Sequence, residues 1–296
     1  MPLQHLVEYF NDRLEQEHYF SFRPFVLNEG KVSGLFGQIR IDSLFAPIRQ
    51  TLKPHVIVGH TSQLITVTPN KTRQLYENEI ATLLANNSIK ARDTKAIINY
   101  DRLCRTLHML NYLPLSHLHG TLFLEVDPRH IMGIKQDHGA YFEEVIAQCG
   151  LETKDVVIVM AVNSQYAFYY QELIIGLDNY RRRGYQIALK FDYLVLERQA
   201  LDLITKISPD YVSFSARNME DQLLDDILLE KLFELNSRVA SCGGQSILQK
   251  TDEKSFDFLF RYTGFDLVEG GYFRAIAFDY LSNMKSDYYD LNANNY

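Results

Sequence analysis

The chain has 296 residues, of which 46% are hydrophobic, and it carries a formal net charge of −7. This length and apolar content predict a large core, in either one α/β barrel or two smaller domains. The acidic balance argues against direct binding to nucleic acid or to an anionic membrane surface. Three scattered cysteines without a CxxC spacing argue against a disulfide framework and against a structural zinc site, and they indicate a reducing compartment.

The first 43 residues predict an N-terminal extension. Leu3, Leu6, Val7, Phe10 and Leu14 recur at helical spacing, which predicts an amphipathic helix that packs either on its own domain or on a partner. The following segment, "FSFRPFVLNEGKVSGLFGQIRI", alternates around "NEGK" and predicts a hairpin. Acidic residues interrupt the apolar positions of the opening helix, and no window reaches about 18 uncharged apolar residues. We therefore expect a cytoplasmic protein without membrane insertion.

Residues 44–120 give less regular signals. The segments "HVIVGH" and "SQLITVTP" predict two short strands, and "TRQLYENEIATLL" predicts a helix. The segment "DTKAIINYDRLCRTLHMLNYL" predicts a longer helix, because its apolar residues repeat about every third or fourth position.

From residue 121 onward, apolar strands alternate with single helices. The predicted strands are "TLFLEV", "DVVIVMAV", "YQIALKF", "DYVSFS", "RVASCGG" and a closing "DLVEGGYF". Strands that are apolar on both faces and separated by helices favour a parallel sheet that is covered on both sides or closed into a barrel. The sequence therefore predicts an α/β fold, a (β/α)8 TIM-like barrel over residues 44–280, followed by a disordered tail over residues 281–296.

The order of these segments resembles the EAL domain, the family of cyclic di-GMP phosphodiesterases. The segment "LFAPIRQTLKPHVIVGHTSQL" is similar to the family's opening, an F-Q-P-I element followed by the E-A-L tripeptide. "TLFLEVDPRHI" resembles the strand that carries a metal-binding asparagine, and "YRRRGYQIALKFDY" resembles the strand that ends in D-D-F-G. "GFDLVEGGYF" resembles the closing G-C-D-x-x-Q-G-Y-x-F motif. The resemblance implies the EAL type of barrel.

The same resemblance implies that the catalytic positions have changed. The family's acidic metal ligands fall on residues that are not carboxylates in this chain, namely Thr61, Val159, Lys190, Phe191 and Cys242. The metal-binding asparagine falls on Glu125 and the closing glutamine on Glu269. Asp192 lies one position after the paired aspartates, and the second glutamate of the A-E-G-V-E strand falls on Gln245. The arginine that grips a substrate phosphate falls on Ile65. An earlier segment also resembles the opening motif and would place that arginine on Arg40 and the first glutamate on Phe36, so the two placements, 36–40 and 61–65, remain alternatives.

These substitutions predict a pseudo-enzyme. Two-metal hydrolysis of a phosphodiester needs several carboxylates, so we expect no catalytic residue and no magnesium or manganese site. We expect Glu125 or Glu269 to pair with Lys190, since a partly buried lysine favours an opposite charge. The candidate ligand-binding residues are Arg40, Glu125, Lys190 and Glu269.

Three functions follow from this interpretation. The first is a catalytically inactive EAL-like scaffold that binds another protein in bacterial signalling, with an exposed apolar patch near the N-terminal helix or the tyrosine-rich C-terminal segment. The second is a receptor that binds cyclic di-GMP without cleaving it, and the third is an active phosphodiesterase with a relocated site. The partner and the oligomeric state, including a homo-oligomer, remain open.

Overall fold

A computed structural model of the chain describes residues 2–18, 22–36, 39–68, 71–74, 94–116, 120–134, 139–162, 164–191, 198–215, 226–251 and 264–272. Its helices are α1 (Leu3–His18), α2 (Thr94–Ser116), α3 (Pro128–Gly133), α4 (Ala140–Gln148), α5 (Tyr170–Arg182), α6 (Arg198–Ile207) and α7 (Asp226–Ser241). Its strands are β1 (Phe25–Asn28), β2 (Lys31–Phe36), β3 (Ile39–Gln50), β4 (Ile57–Thr68), β5 (Lys71–Gln74), β6 (Thr121–Val126), β7 (Val156–Val162), β8 (Gln186–Phe191), β9 (Tyr211–Ser215), β10 (Gln245–Gln249) and β11 (Leu267–Val268).

The chain divides into two compact units. The first contains Met1–Phe45, Thr61–Met160 and Phe168–Gln186, and the second contains Ala46–His60, Ala161–Ala167 and Ile187–Tyr296. Strands β3, β4, β7 and β8 contribute residues to both units. Within the described ranges, every helix is too short or too polar to cross a lipid bilayer.

The N-terminal helix and hairpin are present in the first unit. Four apolar residues of α1 are buried, Leu6, Val7, Phe10 and Leu14, so the helix packs on its own unit. Strands β1 and β2 pair antiparallel, with Asn28 opposite Lys31. Glu29 and Gly30 form the turn between them with φ of 49° and 78°, the positive values that a two-residue hairpin turn of this hand requires.

Two asparagine side chains hold this hairpin to the helices. The Asn11 amide on α1 donates to the Phe25 carbonyl at 2.8 Å and accepts from its N–H at 2.9 Å. The Asn111 amide on α2 makes the same pair of hydrogen bonds with the backbone of Val32, at 2.7 and 2.9 Å. Each amide thus satisfies the N–H and C=O of a strand residue, which a buried backbone requires.

Two predictions for residues 55–83 are wrong where the structure describes them. Residues 57–60 of "HVIVGH" and residues 62–68 of "SQLITVTP" lie in one continuous strand, β4, because Thr61 between them is also extended. Residues 72–74, predicted as the start of a helix, lie in β5, which pairs antiparallel with β4, with Ile65 opposite Gln74. Their cross-strand hydrogen bonds outweigh a short helical pattern.

The second unit contains four neighbouring parallel strands. β8 pairs with β9, β9 with β10, and β10 with β11, whereas β11 pairs antiparallel with residues Arg49 and Gln50 of β3. All five residues of β9 are buried, which explains its near-continuous apolar sequence. Two aspartates fix the starts of strands: Asp210 accepts the N–H of Ile187, and Asp266 accepts the N–H of Ser246.

The prediction of a strand at "RVASCGG" is wrong. Residues 238–241 form the last turn of α7, and the strand that follows is β10, whose sequence is "QSILQ". Gly243, at φ 79°, ends the helix in the left-handed conformation that glycine adopts without strain. The apolar Val239 and Ala240 belong to the helix pattern, which extends one turn further than predicted.

Candidate functional site at the strand ends

In the first unit, the candidate Glu125 lies near the carboxyl end of β6. Its register partner on the parallel strand β7 is Val159, so the two side chains lie side by side on one face of the sheet. Glu125 is partly exposed, whereas Val159 is only 7% exposed. The position beside the glutamate therefore offers the methyl groups of a valine.

The later of the two opening segments forms β3 and β4. In the sheet, β4 is the neighbour of β6, and the Ser62 hydroxyl donates to the Phe123 carbonyl of β6 at 2.9 Å. Thr61 precedes Ser62 and thus lies on the strand next to that of Glu125. Phe36 and Arg40, from the earlier segment, lie instead in β2 and β3, which pair antiparallel with each other.

Arg40 belongs to a small polar cluster on this three-stranded part of the sheet. Its Nε donates to the Ser33 hydroxyl at 3.0 Å and lies 3.4 Å from the Asp42 carboxylate, which is buried and also accepts from Ser33. Lys31 Nζ is 3.8 Å from the other oxygen of Asp42. The guanidinium is therefore held by an internal carboxylate, although its side chain remains 42% exposed.

In the second unit, Lys190 and Phe191 lie on opposite faces of β8. Lys190 is the register partner of Ser213 on β9. Phe191 is 2% exposed and stacks on Phe214, with ring centroids 5.3 Å apart and an interplanar angle of 10°. Because side chains alternate along a strand, only one of these two positions can face a ligand, and that position carries the lysine.

Buried polar side chains continue from Lys190 across the ends of the next strands. Ser213 and Ser215 of β9 are 3% and 4% exposed, and Ser215 is the register partner of Gln249 at the end of β10. The Gln249 amide donates to the carboxylate of Glu269 at 2.7 Å, and both side chains are buried. Glu269 thus has a neutral hydrogen-bond donor, while its predicted pairing with Lys190 stays a prediction, as does that of Glu125.

Gln249 is a buried polar residue at the end of β10 that the sequence interpretation did not single out. Cys242 lies before β10 and Gln245 at its start, and their match to the acidic positions of the family stays a prediction. In β10 only the first residue is exposed, so the Gln249 side chain is buried.

The chain after β10 makes an unusually close turn. Lys250 has φ 62°, a left-handed value rare for a residue with a side chain. Thr251 donates from its N–H and its hydroxyl to the Glu269 carbonyl, both at 3.1 Å, and a Cβ on Gly270 would collide with the Thr251 backbone. These contacts fix the backbone on both sides of Glu269.

Other candidates lie outside the described residues. These are Asp192, the helix predicted beyond residue 74, the tail over 281–296 and all but the first residue of the tyrosine-rich segment that begins at Tyr272. In the part of the chain that the structure describes, no three His, Cys, Asp or Glu side chains come close enough together to hold a metal ion.

Comparison with known proteins relates this fold to solved structures. No protein-family model and no curated protein matches the sequence. The EAL domain of FimX from Xanthomonas citri, solved with c-diGMP, is 12% identical with a TM-score of 0.62, and the match covers 90% of this chain and 91% of that one. The chain has the fold of EAL domains, an α/β barrel of the (β/α)8 TIM-like type. The predicted fold class is confirmed.

Two larger proteins share the same fold. BlrP1 of Klebsiella pneumoniae, in a calcium and cyclic di-GMP complex, is 14% identical with a TM-score of 0.61, over 78% of this chain and 54% of that one. The YkuI protein of Bacillus subtilis, in complex with c-di-GMP and calcium, is 16% identical with a TM-score of 0.59, over 78% of this chain and 53% of that one. The chain therefore spans about half the length of these two proteins.

Proposed function

We propose that this protein is a non-hydrolysing EAL-fold protein that acts in bacterial signalling by binding another protein. The observation that carries the proposal is the register of the parallel strands. Val159 lies next to Glu125, and Lys190 lies next to Ser213. Divalent cations in a two-metal site need several oxygen ligands, and an ammonium group repels them. The chain would then retain the barrel as a frame for a surface, since fold and site chemistry vary independently.

The first test is an assay of cyclic di-GMP hydrolysis by the full chain with magnesium and with manganese. We expect no turnover above the uncatalysed rate, while an active EAL phosphodiesterase assayed in parallel provides the positive control. The double variant Val159→Glu, Lys190→Asp restores two carboxylates and serves as the matched comparison. Turnover by the unsubstituted chain that depends on the metal contradicts the proposal.

Exposed apolar side chains just before α5 and within it support a protein partner. Phe168 is 94% exposed, and Ile175, two helical turns further on, is 58% exposed. The apolar face of α1, by contrast, is buried and offers no such patch. We expect the double variant Phe168→Asp, Ile175→Asp to abolish capture of a specific partner in pull-downs. The control variant Leu52→Asp, at an exposed leucine outside this surface, should leave the capture unchanged. Equal capture by all three proteins would contradict a role for this surface.

A receptor that binds cyclic di-GMP without cleaving it is the second candidate. Lys190 is next to Ser213 in register, and a lysine beside hydroxyl donors is suited to a phosphate oxygen. Calorimetric titration with cyclic di-GMP, with and without calcium or magnesium, distinguishes the two candidates. Micromolar binding that is lost in Lys190→Ala and kept in Lys231→Ala, on the exposed side of α7, would favour the receptor. Absence of heat at high ligand concentration would favour the scaffold.

A further inference from the structure

A group of buried ionisable side chains in the first unit lies outside the strand-end site. It consists of Asp101 and Arg105 on α2, His130 on α3 and Tyr180 on α5, all of them at most 7% exposed. The Asp101 carboxylate accepts hydrogen bonds from Arg105 and, at 3.0 Å, from Nδ1 of His130. Arg105 also donates to the Tyr180 hydroxyl at 3.3 Å, and its guanidinium lies 3.4 Å from the centroid of the Phe142 ring.

The surroundings of the His130 ring favour its neutral form. Its Nδ1 lies 3.0 Å from the Asp101 carboxylate and therefore carries the proton. Nη2 of Arg105 lies 3.2 Å from Nε2 and 3.4 Å from Nδ1, so a guanidinium lies directly against the ring. A second proton on His130 would place two positive charges at this distance in a buried place.

The charges around His130 oppose the same proton. α2 presents Asp101, Arg102 and Arg105, α5 presents Tyr180, and α4 presents the uncharged Phe142 ring, 6.3 Å away. Burial lowers the pKa of His130, Arg105 and Arg102 lower it further, and Asp101 opposes them. The Asp101 carboxylate already balances Arg105, so a protonated His130 would leave an excess positive charge in a site without solvent access.

The same carboxylate holds the junction between β6 and α3. The second carboxylate oxygen of Asp101, Oδ1, accepts the N–H of Asp127 at 3.1 Å. Asp127 in turn caps α3, since its side chain accepts the N–H of Arg129 at 2.8 Å and its carbonyl accepts the N–H of His130 at 2.8 Å. Asp127 is two residues beyond Glu125, so release of α3 would also release the end of the strand that carries this glutamate.

We propose that His130 is an acid-sensitive latch, and that uptake of one proton by its ring releases α3 and Asp127 from α2. This inference is independent of the function proposed above. Opening converts a histidine that excludes a second proton into one with an ordinary pKa of about 6.5. The equilibrium for opening then rises about tenfold for each pH unit below that value, until the closed state also takes up the proton.

The test is amide hydrogen exchange of the full chain between pH 7.5 and 4.5, with rates corrected for the intrinsic pH dependence. We expect the protection of the Asp127 and His130 amides to fall about tenfold per pH unit below pH 6.5. The amide of Val32, which Asn111 holds in the same unit, should stay better protected than the Asp127 amide at every pH in this range. Equal protection of Asp127 and Val32 would overturn the proposal, since it would indicate that Asp127 exchanges only when the whole unit unfolds.

The matched variants are His130→Gln and His108→Gln. Glutamine keeps an uncharged donor and acceptor but does not titrate, so protection of Asp127 should become independent of pH in His130→Gln and stay pH-dependent in His108→Gln. A pH-dependent loss that persists in His130→Gln would overturn the latch. If His130→Gln does not fold, the NMR chemical shifts of the His130 ring nitrogens in the unsubstituted protein provide the test. The protonation of His130 and the loss of protection at the Asp127 amide must then share one midpoint pH. Separate midpoints would overturn the proposal.

Discussion

The first unit buries a cluster of charged groups, whereas the ends of β9 and β10 and the residue after β11 in the second unit carry buried hydroxyls, an amide and a carboxylate. In the first unit, Asp101 accepts hydrogen bonds from Arg105 and His130. In the second unit, the Glu269 carboxylate accepts a hydrogen bond from the neutral Gln249 amide. The comparison teaches that this fold buries charged groups where each has a hydrogen-bond partner close by.

The largest effect is expected from Asp101→Ala. The substitution leaves the Arg105 guanidinium buried without its carboxylate, which costs about 3 to 5 kcal/mol of the free energy of unfolding. Urea unfolding at pH 7 measures this loss. Asp178→Ala provides the control, because it breaks an exposed pair with Arg182 on α5 that is worth about 0.3 to 0.5 kcal/mol. Similar losses in the two variants would contradict the importance of the buried charges.

A smaller effect is expected from Glu269→Leu in the second unit. The Gln249 amide would lose its acceptor in a buried place, at a cost of about 1 to 3 kcal/mol. Glu269→Gln keeps an acceptor oxygen and should cost less than the leucine variant, as measured by urea unfolding. If the two variants are equally stable, the hydrogen bond between Gln249 and Glu269 contributes nothing measurable.

The pH dependence of the free energy of unfolding should reveal a second buried histidine, His108. It lies among neutral groups, whereas His130 lies among charged ones. His108 is buried beside the Ser43 hydroxyl, 2.9 Å from its Nδ1, and burial lowers its pKa to about 3. The unfolded chain takes up a proton at His108 below about pH 6.5, and the folded chain does not. The free energy of unfolding therefore decreases by about 1.4 kcal/mol for each pH unit as the pH is lowered from about 6.5 to about 3. In His108→Gln, the slope of unfolding free energy against pH should decrease by this amount. An unchanged slope would show that His108 does not contribute to it.

The smallest effect is expected from Lys250→Gly, after the end of β10. Glycine adopts φ near 62° without steric cost, so the substitution should stabilise the chain by about 1 kcal/mol or less in urea unfolding. Lys206→Gly, in the last turn of α6, should instead destabilise it by about 1 kcal/mol. Loss of stability in Lys250→Gly would contradict a strained backbone at this position.

Much of the fold was predictable because its signals are local. The alternation of apolar strands and helices after residue 121 predicts β6 to β9 and the helices between them, since a buried parallel strand must be apolar on both faces. The hairpin at Glu29 and Gly30 has an equally local signal. The error at "RVASCGG" arose because the apolar end of an amphipathic helix and a short buried strand have similar compositions.

The candidate site was predictable only in part. The sequence identifies Glu125, Lys190 and Glu269 as polar residues at the ends of apolar segments, and the structure places each of them at or just after a strand end. It does not identify Gln249 as the partner of Glu269, because that contact joins residues 20 positions apart and depends on strand register. Likewise, only the pleat of β8 shows that Lys190 and Phe191 belong to opposite faces.

The sequence by itself determined the α/β class and much of the order of the elements, because periodicity and residue type are properties of the chain. The tertiary structure decided which side chains meet. The partnership of Asp101 with Arg105 lies within one helix, at a spacing of four residues, but their contacts with His130 and Asp127 require α2 to pack against α3. Such contacts depend on packing between distant segments, and packing is a property of the folded chain alone.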